Sequence, residues 1–354
     1  MRNNSTANSL KDLVYAISKS GLSIYSKVEI GDRHLWIPAK ELEEILNQEL
    51  VNIDLSGLPL RTRSKVVKQA ICRALGYPVP QLFKKTQPRF PGQNFDVYIQ
   101  KSNNLQIWNE EISPTRRYVI IGVSSQDRIQ RVKVVTGDSL ERLDTTGTLT
   151  QKYQARLTLL ELGEKAELVS TQDTDNLTAL VNSSEKPEKF TVSPTAYPTT
   201  TALLPITVVF ERLSTLVGSS FINAGIDQER NRGAVLHKMV CKALGYDSYH
   251  DDGRFPDIRN QLLEIKLQTS PTIDLGLVSP DSGDPLDLPQ IENVQIRHCD
   301  VRYAMFYAKS DGIEVRVLQF FLITGKDFFS RFPQFQGKVL NKKLQIPLPR
   351  GFFD

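Results

Sequence analysis

Cysteine and histidine are scarce in this chain, and the few cysteines stand far apart. The 354 residues include three cysteines and four histidines. Cys72, Cys241 and Cys299 form an odd number without CxxC spacing, which argues against a zinc site and against a disulfide framework. Because free thiols persist in reducing compartments, we expect a cytoplasmic location.

Long apolar runs are missing as well. No stretch approaches the roughly 18 consecutive apolar residues that a membrane-spanning helix needs, and residues 1–8 lack the apolar core of a secretion signal. We therefore expect neither a membrane anchor nor secretion. With 40% hydrophobic and 24% charged residues, the composition is typical of a soluble globular protein, and the length allows two domains.

Acidic charge is in deficit over the first part of the chain. Residues 1–160 carry 23 lysines and arginines against 15 acidic residues, whereas residues 161–204 carry 3 against 7 and residues 205–354 carry 18 of each. A basic excess favours a polyanionic partner, since phosphate neutralisation is the sequence-independent part of nucleic-acid binding. Ordinary solubilising charge is the alternative interpretation of the same excess.

Hydrophobic periodicity divides the chain into three regions. Residues 1–160 mix helical and strand patterns and predict an α+β domain. Residues 161–204 are polar and acidic and end in a stretch rich in threonine and proline, which predicts an interdomain linker. Residues 205–354 predict an α/β domain. Helices are expected at 8–20, 38–46, 61–77 and 227–244, and strands at 95–100, 105–108, 116–123, 131–135, 301–308 and 314–323.

The most informative stretch is 253–268, which reads as two strands joined by a polar turn. Side chains alternate between the faces of a strand, so Glu264, Lys266 and Gln268 share one face. Asp257 lies across the turn and is expected beside Glu264. Two carboxylates and an ammonium group presented together suit a divalent metal ion and a phosphodiester. The predicted strands span 255–258 and 261–268.

Pro256-Asp257, six further residues and then Glu264-Ile265-Lys266 resemble the signature of the PD-(D/E)XK nuclease superfamily. The amphipathic helix before this motif and the apolar strands after it make the setting similar to that of a type II restriction endonuclease. The resemblance implies an α/β fold, with a restriction-endonuclease-like core of a mixed central sheet flanked by helices in residues 205–354. A surface hairpin with a solvated Glu/Lys pair is the alternative.

The resemblance also implies the chemistry of the site. Asp257, Glu264 and the main-chain carbonyl of Ile265 are expected to hold Mg²⁺, which prefers oxygen ligands and keeps several waters. Lys266 is expected to face the same phosphate and to orient the attacking water or stabilise developing negative charge. Gln268 on the same face is a candidate to hold the water or the DNA backbone, and an ordinary polar strand end is an equal alternative.

Many such nucleases add a glutamate from the helix before the motif, and here the pattern departs. Glu229 at the start of that helix is the candidate, although a solvated helix N-terminus explains it equally well. His237, two turns further along, holds a position that would suit a glutamate and is interpreted as structural. Asp274 is a further candidate to approach the metal.

Residues 61–156 interleave basic side chains with Asn, Gln, Tyr and Trp, with 17 basic residues against 7 acidic ones. Arginine suits guanine, and Asn or Gln suits adenine, so we predict that this region reads DNA. A structural or dimerisation domain with a hydrophilic surface is the alternative. The candidate DNA-contacting residues are Lys84, Lys85, Arg89, Asn103, Asn104, Trp108, Arg116, Arg117, Arg131, Lys133 and Lys152.

These expectations together describe a type II restriction endonuclease that hydrolyses double-stranded DNA at a specific sequence with Mg²⁺. Residues 1–160 would recognise DNA and residues 205–354 would cut it. Cleavage of both strands of a symmetric site implies a homodimer, and the matching DNA methyltransferase would be a separate chain. The alternatives are a modification-dependent or repair endonuclease and a non-catalytic DNA-binding protein with a decayed nuclease fold.

Residues 61–77 and 230–246 match in register and share a Leu-Gly-Tyr ending, and each is followed by an Arg-Phe-Pro. One hypothesis is an ancient duplication, which would make the first half an inactive copy, since no ExK follows Asp96. The alternative is that two amphipathic helices with glycine stops look alike. The other shared positions are Arg61/Arg230, Arg63/Arg232, Val66/Val235, Cys72/Cys241 and Ala74/Ala243.

Overall fold

The computed structural model describes residues 10–108, 112–143, 153–158, 163–181, 187–223, 228–334, 343–349 and 351–353, with backbone alone at 60–61, 108, 228–231 and 343–345. The chain divides into two units. Unit 1 consists of residues 1–150, 286–290 and 339–354, and unit 2 consists of residues 151–285 and 291–338. Both combine helices with mixed sheets, which confirms the α/β class.

The helices are α1 (Leu10–Lys19), α2 (Ala39–Leu50), α3 (Leu60–Ala74), α4 (Gly137–Arg142), α5 (Asp175–Leu180), α6 (Ile206–Ser214), α7 (Gln228–Leu244) and α8 (Phe328–Arg331). The strands are β1 (Phe95–Gln100), β2 (Asn104–Trp108), β3 (Arg117–Val123), β4 (Ile129–Thr136), β5 (Tyr153–Arg156), β6 (Lys165–Leu168), β7 (Ser220–Ile222), β8 (Leu263–Gln268), β9 (Thr272–Gly276), β10 (Arg302–Ser310), β11 (Glu314–Thr324) and β12 (Lys343–Pro347).

Unit 1 is built around a sheet of order β1-β3-β4, in which β1 runs parallel to β3 and β3 runs antiparallel to β4. The apolar stripes of α1, α2 and α3 pack in one core with residues of this sheet. Leu13, Leu46 and Ile71 represent the three helices in that core, and each is buried. A separate antiparallel pair joins β2 to β12.

Unit 2 is built around a sheet of order β6-β11-β10-β8, with β7 also paired to β11. The strand β8 runs parallel to β10, and β10 runs antiparallel to β11. Apolar residues of α6 and α7, such as Val209 and Val240, pack in one core with Phe306 and Phe320 of the sheet. A separate antiparallel pair joins β5 to β9.

The strongest periodicities predicted the elements well. The helices expected at 8–20, 38–46, 61–77 and 227–244 correspond to α1, α2, α3 and α7. The expected hairpin across Ser310-Asp311-Gly312 is confirmed, because β10 and β11 pair antiparallel around it. Among the described residues, no helix is both long and apolar enough to cross a membrane.

The segment 161–204 differs from the predicted linker. It contributes β6 to the sheet of unit 2 and also forms α5. One of its polar residues is held inside the unit: the side chain of Asp173 is buried, pairs with Arg302 at 2.7 Å and accepts the main-chain N–H of Ile206 at 3.0 Å. Polar composition predicted exposure, but here the polar groups find partners within the fold. The C-terminal boundary also differs, since residues 339–354 belong to unit 1.

Candidate active site

The motif forms a tight turn leading into one strand rather than the predicted pair of strands. Residues 255–258 are not a strand, although Ile258 and Leu263 exchange main-chain hydrogen bonds of 2.9 and 3.1 Å across the turn. The turn is a 3₁₀ helix at Arg259–Gln261, followed by Leu262 in the left-handed region with φ 49°. Its polar residues are buried because the surrounding chain binds them. The Asn260 N–H, for example, donates to the carbonyl of Pro194 at 2.9 Å.

Both motif carboxylates accept main-chain N–H groups of the motif itself. Glu264, on β8, is almost fully buried, with 1% of its surface exposed. Its Oε2 accepts the main-chain N–H of Asp257 at 3.2 Å. The Oδ2 of Asp257 in turn accepts the main-chain N–H of Ile265 at 2.9 Å. The two acidic side chains are therefore held together, as the sequence predicted, and their positions are set by the backbone of the turn.

Lys266 completes the predicted set. Its Nζ lies 3.0 Å from Oε1 of Glu264, and 21% of its side chain is exposed. The alternation of β8 puts Gln268 further along the same face, where it is half-buried. The rest of β8 is supported by its parallel neighbour β10, which pairs Tyr303 with Glu264 and Met305 with Lys266. The face of β8 that carries Glu264, Lys266 and Gln268 therefore belongs to a strand paired with β10, and this pairing fixes the spacing of the three side chains.

The donor set fits a magnesium ion. Asp257, Glu264 and the carbonyl of Ile265 are hard oxygen donors, and Mg²⁺ needs only one or two carboxylates because it keeps several waters. Within the described part of the chain, no cluster of three or more His, Cys, Asp or Glu side chains has the arrangement of a metal site.

The helix α7 adds a buried histidine behind the carboxylates. Burial lowers the pKa of His237, while Asp251, a hydrogen bond with the main chain of His250, and Glu264 act in the opposite direction. The Nε2 of His237 lies 3.4 Å from Sγ of Cys241. Burial, and after it the charges of Asp251 and Asp257, raise the pKa of Cys241 to about 12. The carboxylates of Asp251, Asp257 and Glu264 thus act electrostatically on the buried groups of α7.

The fourth carboxylate stays a prediction. The backbone of Glu229 lies in the first turn of α7, but its side chain lies outside the described residues. Asp252 is engaged elsewhere, since both of its oxygens bind Nη2 of Arg259 at 2.9 and 3.0 Å. Asp274 on β9 accepts a hydrogen bond from Gln154 at 2.5 Å. Asp251 contributes to the potential at His237, and no pattern in the sequence pointed to this contribution.

The candidate DNA-contacting residues other than Arg117 fall into three groups. One group is exposed: Lys84, Lys85, Asn103, Asn104 and Arg131. A second group is partly buried in ion pairs: Arg89 and Arg116 with Asp96, and Lys133 with Glu43 at 3.8 Å. For the remaining two, Lys152 and the side chain of Trp108, the structure makes no statement because they lie outside the described residues.

Arg117 requires a correction. Its side chain is completely buried at the start of β3, and its guanidinium donates to the carbonyls of Ile37 and Gln93 and stacks over the ring of Trp36, 4.0 Å from the centroid. A group enclosed in this way cannot reach a DNA base. Its sequence context, between Arg116 and an apolar strand, did not distinguish a surface arginine from a buried one.

The site brings together the carboxylates of Asp257 and Glu264 and the ammonium group of Lys266 around the start of β8, and such groups can hold a hydrated divalent cation next to an ammonium group. Such a pairing can neutralise a phosphate and stabilise negative charge as it develops. Comparison of the chain with protein-family models, with curated proteins and with solved structures finds no match.

Proposed function

We propose that this chain is a Mg²⁺-dependent DNA endonuclease of the PD-(D/E)XK type, acting as a type II restriction endonuclease. The observation that carries the proposal is the pair of carboxylates held by the motif backbone, in which Glu264 accepts the N–H of Asp257 and Asp257 accepts the N–H of Ile265, with Lys266 at 3.0 Å from Glu264. A solvated Glu/Lys pair on a surface hairpin, the competing interpretation, does not explain why Glu264 is 1% exposed. Burying a carboxylate is costly unless a cation or hydrogen bonds compensate it.

Each residue of the site has a role in this proposal. Asp257, Glu264 and the carbonyl of Ile265 would hold the Mg²⁺ ion, whose chemistry there is to polarise the phosphate and acidify a bound water. Lys266 lies beside the same carboxylate and is placed to donate to a phosphate oxygen or to the attacking water. Gln268, further along β8, is placed to hold the DNA backbone.

The architecture of unit 2 also supports a restriction-endonuclease-like core. The helix α7 precedes the motif, and the motif strand β8 lies in a mixed sheet with a parallel neighbour, β10, followed by the antiparallel β11. The carboxylates stand where the chain enters β8, so the sheet fixes one side of the site while the turn at 259–261 fixes the other. This rigidity is what a site that must place a water and a phosphate in line requires.

The proposal names partners as well. Double-stranded DNA is the substrate, and the basic excess of residues 1–160 supplies the sequence-independent attraction to it. A homodimer would bring two active sites to the two strands of a symmetric recognition sequence. A DNA methyltransferase on a separate chain would protect the host sequence in a restriction-modification system.

The direct test is cleavage of phage DNA by the purified protein with Mg²⁺, followed by sequencing of the fragment ends. We expect discrete fragments, and we expect Glu264→Gln and Lys266→Met each to lower the rate by at least ~100-fold, the usual cost of losing a group that stabilises developing charge. Glu314→Gln and Lys309→Met are matched controls, since both residues are exposed on neighbouring strands of the same sheet.

The outcomes separate the alternatives. A smear, or cutting that Glu264→Gln leaves unchanged, would contradict the assignment of this site. Binding of DNA without any cutting would favour a non-catalytic DNA-binding protein. Cutting of methylated plasmid but not of unmodified plasmid would identify a modification-dependent endonuclease with the same active site.

A further inference from the structure

Unit 1 repeats the strand order that carries the active site in unit 2. In unit 1, β1 runs parallel to β3 and β3 runs antiparallel to β4. In unit 2, β8 runs parallel to β10 and β10 runs antiparallel to β11. Each first strand follows a long helix, α3 or α7, and each helix follows another helix, α2 or α6, that begins directly after a proline. The topology alone makes β1 the counterpart of the motif strand β8.

The turn before each of these strands has the same construction. A 3₁₀ helix at Pro91–Gln93 precedes β1, as the one at Arg259–Gln261 precedes β8. The next residue is left-handed in both, with φ 45° at Asn94 and φ 49° at Leu262. Across each turn a residue exchanges two main-chain hydrogen bonds with the first residue of the strand, and the pairs are Phe90/Phe95 and Ile258/Leu263. A proline stands two residues before each pair, at Pro88 and Pro256.

Buried polar side chains anchor the two turns identically. The amide of Gln93 accepts the N–H of Ile37 at 3.1 Å and donates to the carbonyl of Leu35 at 2.7 Å. The amide of Gln261 does the same with Leu204, at 3.0 Å, and Ala202, at 2.7 Å. In both units the two bonded residues stand one and three positions before the proline that precedes α2 or α6. These hydrogen bonds join residues more than fifty positions apart and match between the two units. A chance similarity of two amphipathic helices does not explain them.

A fully buried arginine begins the strand that runs parallel to β1 in unit 1 and to β8 in unit 2. Arg117 opens β3 and donates its main-chain N–H to Asn94 at 3.0 Å, whereas Arg302 opens β10 and donates to Leu262 at 2.8 Å. The helix ends agree too, because Tyr77 and Tyr246 each donate a main-chain N–H to the cysteine five residues earlier, at 2.9 and 3.0 Å. These correspondences support the duplication hypothesis over chance similarity.

The structural register assigns a counterpart to each residue of the active site. Pro88 corresponds to Pro256, so the two Arg-Phe-Pro triplets, which the sequence aligned, are not equivalent. Arg89 takes the place of Asp257, Asp96 that of Glu264, and Tyr98 that of Lys266. One bond is preserved across the change: the N–H of Arg89 donates to Oδ1 of Asp96 at 3.0 Å, as the N–H of Asp257 donates to Oε2 of Glu264.

At the unit 1 position, guanidinium groups lie where unit 2 would hold a cation. The carboxylate of Asp96 is completely buried. Its Oδ1 lies 2.9 Å from Nη1 of Arg89, and its Oδ2 lies 3.0 Å from Nη1 of Arg116. Both oxygens are thus bound to fixed positive charge, and a basic side chain has replaced one of the two acidic ones. The retained carboxylate therefore no longer has the partners that a divalent ion requires.

Two further residues make this position suited to an anion. Lys68 on α3 is the counterpart of His237, and burial together with the nearby charge of Arg89 lowers its pKa. Gln100, the counterpart of Gln268, has a buried Nε2 that finds no hydrogen-bond acceptor among the described residues. Both arginines keep part of their side chains exposed, 34% for Arg89 and 17% for Arg116.

We propose that the Asp96 site is a metal-free counterpart of the Glu264 site and binds a backbone phosphate of DNA through Arg89 and Arg116. Guanidinium groups match phosphate in planar, bidentate geometry and stay charged at every working pH. The site would hold the duplex without cutting it, since it lacks the acidic pair and the lysine of unit 2. The ligand in this proposal rests on the proposed function, whereas the replacement of the acidic pair by arginines does not.

The test uses the full chain and a short fluorescein-labelled DNA duplex, with EDTA present to prevent cutting. The triple variant Arg89→Gln/Asp96→Asn/Arg116→Gln removes the charges together, so that no buried carboxylate is left without a cation. We expect its affinity to fall roughly tenfold or more and the slope of log K against log salt to decrease in magnitude by about 1, the effect of one lost phosphate contact.

The matched control is Asp54→Asn/Arg128→Gln/Lys40→Gln. It removes the same numbers of charges from unit 1, and its Arg128–Asp54 pair is exposed, with an Nη2–Oδ2 distance of 2.8 Å. We expect this control to keep the wild-type salt slope. An equal change in both variants, or no change in the site variant, would overturn the proposal. Cleavage by the wild type, measured on the same preparation, reports separately on the proposed function.

A second variant covers the case in which the triple variant does not fold. Asp96→Asn alone removes the negative charge and leaves both arginines in place, so it is expected to tighten DNA binding, whereas the matched Asp54→Asn has no effect. Weaker binding by a folded Asp96→Asn protein would contradict a phosphate site here. If Arg89-dependent binding is found but the wild type never cuts DNA, the proposed function fails and this inference stands.

Discussion

A buried carboxylate is stable only where positive charge or several hydrogen bonds surround it, because an unpaired ion loses several kcal/mol of hydration. Glu264 and Asp96 show two solutions to this requirement at equivalent places. Glu264 has one lysine and a neighbouring carboxylate, which suits an added cation, whereas Asp96 has two arginines. The neighbouring side chains thus determine whether each carboxylate is suited to bind an added cation.

The buried ion pair of Arg302 and Asp173 gives a stability prediction at the residue scale. Arg302 is fully buried and its Nε lies 2.7 Å from Oδ1 of Asp173. Replacing it with methionine leaves a buried carboxylate without its cation, and we expect Arg302→Met to lower the free energy of unfolding by about 3–5 kcal/mol. Urea unfolding followed by circular dichroism measures this loss.

Arg316→Met is the control for that measurement. Arg316 pairs with Glu164 at 2.6 Å, but both side chains are about half exposed. Exposed pairs contribute at most ~1 kcal/mol, so a small effect is expected. A loss for Arg302→Met that is no larger than the loss for Arg316→Met would show that the buried pair is not needed for stability.

At the scale of the element, the end of α7 positions the segment that leads to the motif. Gly245 follows the helix with φ +95°, a conformation that side chains of L-residues rarely adopt. Its carbonyl accepts the N–H of Phe190 at 2.8 Å, and the rings of Phe190 and Tyr246 stack with centroids 4.6 Å apart. The helix end is therefore tied to a segment that the sequence placed in a linker.

This contact predicts that Gly245→Ala destabilises the protein more than Gly253→Ala. Both glycines have positive φ, so each alanine costs about 1–2 kcal/mol for the left-handed backbone. At Gly245 the added Cβ would also lie 2.2 Å from the carbonyl oxygen of Glu188, whereas at Gly253 nothing lies within 4 Å. We expect a further ~1–3 kcal/mol for the displacement at Gly245. Equal urea midpoints for the two variants would contradict this account.

At the scale of the whole molecule, the proposed metal site couples the ion to folding. A ligand that binds only the folded state raises the free energy of unfolding by an amount set by its concentration and Kd. We expect Ca²⁺, a hard cation, to raise the free energy of unfolding by about 1.4–2.7 kcal/mol at concentrations between roughly ten and a hundred times its Kd, and so to raise the midpoint temperature of thermal unfolding. Differential scanning fluorimetry with and without the ion measures the shift.

Two variants locate the effect within the chain. Glu264→Gln should abolish the calcium-dependent shift, because it removes a charged ligand of the proposed site. Asp96→Asn should retain the full shift, because arginines already bind both oxygens of that carboxylate. A shift that survives Glu264→Gln would mean that the ion binds elsewhere, and a shift that Asp96→Asn removes would assign the ion to unit 1.

Features that depend on near neighbours along the chain were predictable from the residue pattern. Apolar periodicity predicted α1, α2, α3 and α7, and strand alternation placed Glu264 and Lys266 on one face of β8. The turn at 310–312 also follows from local residue preferences. These features arise from contacts within a few residues, so pattern and spacing are sufficient to predict them.

Interactions between residues far apart in the chain became visible only in the folded protein. Three features depend on contacts between positions that are far apart in the chain. They are the burial of Arg117 and Arg302, the incorporation of the segment 161–204 into unit 2, and the ion pairs of Asp96 with two arginines. A polar side chain looks the same in a sequence whether water or a buried partner satisfies it. The side chain meets its partner only when the chain folds. The sequence therefore suggested a duplicated helix as one hypothesis but did not give the correspondence of the two sites.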